Sequence, residues 1–178
     1  RVQAETKDGR TFWLRAADES DALALIQAVD SVAREREYLL RSRFDLEVSQ
    51  EQLYLANAAE RGDLVLLAVL EGKLVGWIML SRGPQEFRRH TAELGIGILR
   101  GFRSLGIGSA LMAYALRWAA EQGIEKVNLG VRPGNKRANG LYAKFGFVQE
   151  GYRVRDIKEP DGTYDDIALM ACFLPTAA

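Results

Sequence analysis

The residues that build metal clusters and covalent cross-links are nearly absent from this chain. It has one cysteine, Cys172, and one histidine, His90, in 178 residues. No disulfide can close within it, and no zinc site of several Cys or His ligands can form. No metal is expected. Long hydrophobic runs are missing as well: the longest, 64–70 and 74–80, fall far short of the roughly 20 residues a membrane-spanning helix needs. No membrane partner is expected, and the expected setting is cytoplasmic. Nor does one sign of charge dominate. The 24 Lys plus Arg balance 24 Asp plus Glu, which argues against nucleic acid as the main partner. Only four prolines occur, and no repeat, low-complexity tract or linker-like stretch interrupts the chain. Residues 1–178 are therefore expected to form one domain.

The composition that remains, 48% hydrophobic and 27% charged, suits a protein with a full core. Residues 11–15 alternate and read as a strand. A helix follows over 18–30, with Leu23, Ile26 and Val29 at helical spacing after the candidate caps Ser20 and Asp21. A polar stretch at 34–45 leads to a second helix at 49–60, whose start Ser49-Gln50-Glu51-Gln52 resembles a capping box. Segments 64–70 and 74–80 form a hairpin about Glu71-Gly72-Lys73, and Gly83-Pro84 opens a loop before a strand at 91–99. The clearest helix is 106–122, with Gly123 at its C-terminal stop. A strand at 126–131, a helix capped by Asn135 and running through 145, and a hairpin of 147–157 with 164–174 complete the order β-α-α-β-β-β-α-β-α-β-β. This is a mixed α/β pattern. Between 100 and 144 eight basic residues face two acidic ones, a net of +6 that the rest of the chain offsets. Such a local excess attracts a small polyanion.

That excess coincides with a glycine-rich turn, Arg100-Gly-Phe-Arg-Ser-Leu-Gly-Ile-Gly-Ser109, between a predicted strand and a predicted helix. Main-chain N–H groups converge at a helix N-terminus and make an anion cradle. Gly106 and Gly108 let a phosphate approach closely, Ser109 adds a hydroxyl and Arg103 adds charge. A P-loop would carry a lysine before the hydroxyl residue, which Gly108-Ser109-Ala110 lacks. A dinucleotide-binding turn would have Gly or Ala where Leu111 stands, and the strand 126–131 does not end in a ribose-binding acid.

Arg103-Ser-Leu-Gly106-Ile-Gly108 resembles the pyrophosphate signature Gln/Arg-x-x-Gly-x-Gly/Ala of the GNAT superfamily of acetyl-CoA-dependent N-acetyltransferases. The preceding Ala92-Glu-Leu-Gly-Ile-Gly-Ile98 looks like that family's fourth strand. The segment from Asn135 through Ala138, Leu141 and Tyr142 to Gly146-Phe147 is similar to its Asn-x-x-Ala-x-x-Leu-Tyr-x-x-x-Gly-Phe motif. The resemblance runs from Thr11 to Leu174. It departs at Arg100, where many members carry proline.

The resemblance implies a GNAT fold, a mixed twisted sheet of about seven strands flanked by about four helices. It implies an enzyme that moves the acetyl group of acetyl-CoA to a primary amine of a small amine, an amino acid or a protein N-terminus, by direct attack through a tetrahedral intermediate. The diphosphate would be held by main-chain N–H groups of Ser104, Leu105, Gly106, Ile107, Gly108 and Ser109, with Arg103 beside them. The pantetheine arm would lie between the fourth and fifth strands against the backbone of Ile96 and Ile98, which would also supply the oxyanion donor. Tyr142 occupies the family's position for protonating the leaving thiolate; read from its neighbours alone, it is a core aromatic sharing a face with Ala138, Leu141 and Phe145. Asn135 would cap its helix, bind CoA, or do both, and Lys144, with Lys136 and Arg137 as alternatives, would reach a phosphate. Glu93 is the candidate base, with partial burial expected to raise its pKa; Glu35, Glu37 or a water chain are the alternatives. His90 is read as solvated and Cys172 as packing. The acceptor site would be formed by the first two helices and the last hairpin, which are rich in acids and suit a cationic amine. A non-catalytic acyl-CoA-binding or sensing domain is the competing reading. A longer acyl group is a third, given the room expected at Gly95 and Gly97. A homodimer is left open.

Overall fold

The computed structural model describes residues 1–39 and 45–175, so residues 40–44 of the polar stretch expected at 34–45 lie outside the described residues. Strand β2 (Thr11–Ala16) buries Phe12 and Leu14, its alternate side chains, as a half-buried strand should. An unforeseen strand, β1 (Val2–Glu5), pairs antiparallel with it and sets Ala4 opposite Phe12. β1 had no readable signal because only Ala4 of its four side chains is even partly buried.

A single turn of 3-10 helix at Glu19–Asp21 precedes helix α1 (Ala22–Ala33). Asp18 is its cap, accepting from the N–H of Ser20 at 2.9 Å, while the carboxylate of Asp21 accepts from the N–H of Asp18 at 2.9 Å. The cap is therefore one turn earlier than Ser20 and Asp21 suggested. The buried face of α1 is Leu25, Ile26, Ala28, Val29 and Val32, and Leu23 points to solvent. The helix expected at 49–60 breaks at Asn57 into α2 (Val48–Ala56) and α3 (Ala58–Arg61). No capping box forms at Ser49. The cap position is Glu47, without a side-chain bond, and Glu51 is buried instead of reaching back to the backbone.

Strands β3 (Leu64–Leu70) and β4 (Lys73–Arg82) form the expected hairpin, with Glu71 and Gly72 both left-handed at φ 51° and 77°. That is the turn whose twist matches two antiparallel strands. Then follow β5 (Thr91–Ile98), α4 (Ile107–Glu121), β6 (Lys126–Val131), α5 (Lys136–Lys144), β7 (Val148–Lys158) and β8 (Tyr164–Phe173). The fold is a mixed α/β architecture of the expected kind, with eight strands among the described residues where about seven were expected and five helices where about four were. The strand order is β1-β2-β3-β4-β5-β6-β8-β7. One apolar layer lies between the sheet and α4, including Phe12, Leu66, Ile78, Leu111 and Met112; a second, including Leu25, Val29, Leu55, Leu67 and Trp77, lies under α1 and α2.

The feature that positions the site is a short ladder. β5 and β6 run parallel and pair only at Thr91, Ala92 and Glu93 with Lys126, Val127 and Asn128. Beyond that point residues 94–98 stay with β4, and residues 129–131 stay with β8. The two strands splay, leaving a wedge whose apex is the Glu93–Asn128 pair and whose mouth lies where β5 runs into the glycine-rich turn.

Candidate active site

At the mouth of the wedge the chain folds back after β5. Leu99 donates to the carbonyl of Val75 at 2.9 Å, and Phe102 to that of Leu99 at 3.0 Å. Ser104 and Gly106 are both left-handed, at φ 63° and 89°. Gly106 is the N-terminal cap of α4, provides no side chain to satisfy the helix, and accepts from the N–H of Ala110 at 3.1 Å. The N–H groups of Ile107, Gly108 and Ser109 thus lack intrahelical acceptors and sit at the positive end of a 15-residue helix. A Cβ on Gly108 would stand 3.4 Å from Leu141 Cδ2, so the glycine lets α5 pack closely on the start of α4.

A cavity of about 350 Å³ opens from this turn into the wedge. Ile96, Gly97 and Ile98 line one wall, Gly130 and Val131 the other, and Asn135, Ala138, Leu141, Tyr142 and Lys144 of the α5 region close it. Arg103, Ser104, Gly106, Gly108 and Ser109 form its mouth. Two residues expected at the cradle do not line it. Ile107 is 1% exposed and its side chain belongs to the core, so only its N–H is available. The carbonyl of Leu105 accepts from the N–H of Lys7 at 3.0 Å.

Arg103 is not the free cation that the sequence suggested. Its Nη atoms donate to both carboxylate oxygens of Glu35 at 2.7 and 2.6 Å, and its Nε donates to the carbonyl of Ile98 at 2.9 Å. Its guanidinium carbon lies 4.6 Å from the ring centre of Tyr38. This bidentate pair holds the Glu35 carboxyl below its usual range, chiefly through the Arg103 hydrogen bonds, which makes Glu35 a poor base. The carbonyl of Ile98 is occupied as well, so on that residue the N–H is the group left for a ligand.

Tyr142 is buried, its ring 5.6 Å from that of Phe147, and burial pushes its phenol up to about 12. The hydroxyl therefore keeps its proton at neutral pH, and no group among the described residues accepts from it. Asn135 Oδ1 accepts from the N–H of Ala138 at 3.2 Å, so the capping role is visible in the geometry. Lys144 Nζ donates to Ser109 Oγ at 3.2 Å, which places an ammonium at the helix start. Arg137 also lines the cavity.

Glu93 stands outside the cavity. Its side chain is 59% exposed, accepting from Asn128 Nδ2 at 3.3 Å with Arg88 at 3.6 Å, so the partial burial expected for it is not there. It does stand at the apex of the wedge, at the opposite end of β5 from the cradle. His90 is exposed, and Cys172 is buried with its thiol donating to the carbonyl of Phe145 at 3.5 Å; burial pushes that thiol up, away from nucleophilic use. The space expected at Gly97 is filled: a Cβ there would come within 2.3 Å of the Trp77 ring, while Gly95 faces open space. Lys7 and Tyr38 also line the cavity, and no motif or periodicity pointed to either. Lys7 follows a strand that left no pattern, and Tyr38 lies in an aperiodic polar stretch.

Residues 22–147, which contain both wedge strands and the whole cradle, match the sequence profile of the Acetyltransferase (GNAT) family. The chain belongs to that family. An uncharacterized N-acetyltransferase of Mycobacterium tuberculosis is 38% identical over 89 residues; this is 50% of the present chain and 55% of the relative, so the match spans about half the length of each. The crystal structure of a GNAT-family acetyltransferase from Streptococcus pneumoniae superposes with a TM-score of 0.87 at 29% identity, covering 92% of this chain and 99% of that one. A phosphinothricin acetyltransferase of the GNAT superfamily from Sinorhizobium meliloti, solved in complex with acetyl-CoA, shares the fold at a TM-score of 0.83 and 18% identity over 92% of this chain and 88% of its own. The GNAT chain described here thus has the family fold across nearly its full described length.

Proposed function

We propose that this chain, acting as one domain over residues 1–178, moves the acetyl group of acetyl-CoA to a primary amine. The observation that carries the reading is the wedge itself: an anion cradle at its mouth, an unpaired strand edge along its wall, and a protonated phenol inside it. Acetyl-CoA supplies an activated acyl carbon on a thioester. The chain's own groups do the rest. The N–H groups of residues 107–109 and the Ser109 hydroxyl bind the diphosphate, and Lys144 adds positive charge beside them. The free edge of β5 at Ile96 and Ile98 orients the arm as a neighbouring strand would, and a main-chain N–H there meets the charge that develops on the acyl oxygen.

Tyr142 holds its proton at the phenol oxygen for the departing sulfur, and its raised pKa keeps that proton in place over the whole neutral range. Glu93, at the wedge apex, is the carboxylate assigned to take a proton from the incoming ammonium through water, since it lies outside the cavity. Acetyl-CoA and a panel of primary amines, incubated with the protein and followed by release of free thiol, test the reading. Amine-dependent release is expected. Saturable acetyl-CoA binding without release for any amine would favour the acyl-CoA sensor, and absence of binding would refute both.

A further inference from the structure

We propose that Lys7, on the turn between β1 and β2, is a phosphate-binding residue of this cavity that reaches the diphosphate of acetyl-CoA. The proposal rests on the reading of the wedge as an acetyl-CoA site. Three observations carry it. The turn is fastened to the cradle, because the Lys7 N–H donates to the carbonyl of Leu105 at 3.0 Å, one residue before the cap of α4. The Lys7 side chain lines the cavity, and its Cγ lies 3.7 Å from the point a Cβ on Gly106 would occupy. The ammonium has no carboxylate partner among the described residues.

That last point follows from how the turn is built. Its one internal acid, Asp8, is engaged by Arg10 at 2.8 Å and by the hydroxyl of Thr6 at 2.5 Å. The N–H of Arg10 donates to Thr6 Oγ1 at 2.9 Å, the N–H of Thr6 to the carbonyl of Arg10 at 2.8 Å, and that of Gly9 to the carbonyl of Thr6 at 2.9 Å. The backbone beneath Lys7 is therefore fixed while its four-carbon stem is free. Ordering a stem with a fixed root over an anion costs less entropy than ordering a loop as well. The need for such a cation arises on the other side of the cradle, where Arg103 is neutralised by Glu35 and cannot meet a diphosphate without breaking a bidentate pair. A lysine suits the task as a compact, mobile point charge.

Calorimetric titration of acetyl-CoA and of 3′-dephospho-acetyl-CoA into the full chain tests this, with Lys7→Ala and Lys7→Arg beside the wild type and thermal melts without ligand as a control. Lys7→Ala should weaken both ligands roughly five- to tenfold. Lys7→Arg should recover affinity to within about twofold, and the ligand-free melts should coincide. In kinetics Lys7→Ala should raise KM for acetyl-CoA and leave kcat unchanged, as loss of uniform binding does. Equal affinity in Lys7→Ala overturns the proposal while leaving the cavity assignment intact. A loss confined to acetyl-CoA places Lys7 on the 3′-phosphate and overturns its assignment to the diphosphate. A loss that Lys7→Arg does not recover marks a packing defect of the turn and also overturns it. Failure of the wild type to bind either ligand removes the parent reading with it.

Discussion

Tyr142 serves two purposes that normally compete. A phenol in a core usually finds an acceptor, because an unpaired buried hydroxyl costs about 1–3 kcal/mol. Here the ring packs against Phe147 and burial raises the phenol to about 12, while the hydroxyl is not a fully buried atom: it has no acceptor among the described residues, and the residue lines the cavity. Such a group is primed to donate to a ligand and resists ionisation. Replacing it with phenylalanine keeps the packing and removes the donor. Tyr142→Phe is expected to lower turnover at least several-fold with acetyl-CoA affinity nearly unchanged, as steady-state rates and direct titration would show. Unchanged turnover would make Tyr142 a packing residue only.

At the scale of elements, the contact that matters most ties the C-terminal end of α1 to the cradle. Glu35 and Arg103 are separated by 68 positions yet meet in a bidentate pair whose side chains are 18% and 14% exposed. Removing the carboxylate leaves a half-buried guanidinium without its counter-charge. Glu35→Gln should destabilise the fold by about 1–2 kcal/mol at neutral pH, between the surface and fully buried limits for ion pairs. The sign with pH follows from the depressed Glu35 pKa: the stabilisation is fully present above the ordinary 4.5 and is lost as pH falls through the lower folded value. Denaturant titrations should therefore show the gap between variant and wild type closing under acid. No local pattern announces this pair, since neither partner lies on a periodic face. What local pattern does carry was legible. The alternation of β2, the continuous apolar run of β3, the apolar face of α4 and the Asn135 cap all appear where the sequence pattern put them. The misses fall where local signals were outcompeted: Ser49 was passed over as a cap while Glu51 turned inward, and Arg103 was claimed by an acid from a distant segment. At the candidate site the backbone groups were readable from glycines and strand order, whereas charge partners and exposure, including that of Glu93, depend on tertiary placement.

Over the whole molecule, the positive excess between residues 100 and 144 is smaller in space than in sequence. Arg103 pairs with Glu35, Lys126 with Glu150 at 2.7 Å, and Arg132 with Glu159 and Asp165. Of the five cations of that segment without an ion-pair partner among the described residues, Arg137 and Lys144 line the cavity, and Lys7 joins them from outside the segment, so part of the remaining positive charge stands at the wedge mouth. Binding of a polyanion there should be screened by salt. Raising the ionic strength from about 0.05 M to about 0.5 M is expected to weaken acetyl-CoA several-fold in titration calorimetry, and an affinity indifferent to salt would show that contacts other than these charges dominate. The three-rung ladder between β5 and β6 has a consequence of its own. Sheets ordinarily carry their unpaired edges at the perimeter, where a foreign polypeptide can add itself. Here one such edge is folded into the interior, between two strands that never rejoin. It is shielded from other chains by its narrowness but open to a slender amide-bearing tether, so the breadth of the visitor selects the guest before any side chain touches it.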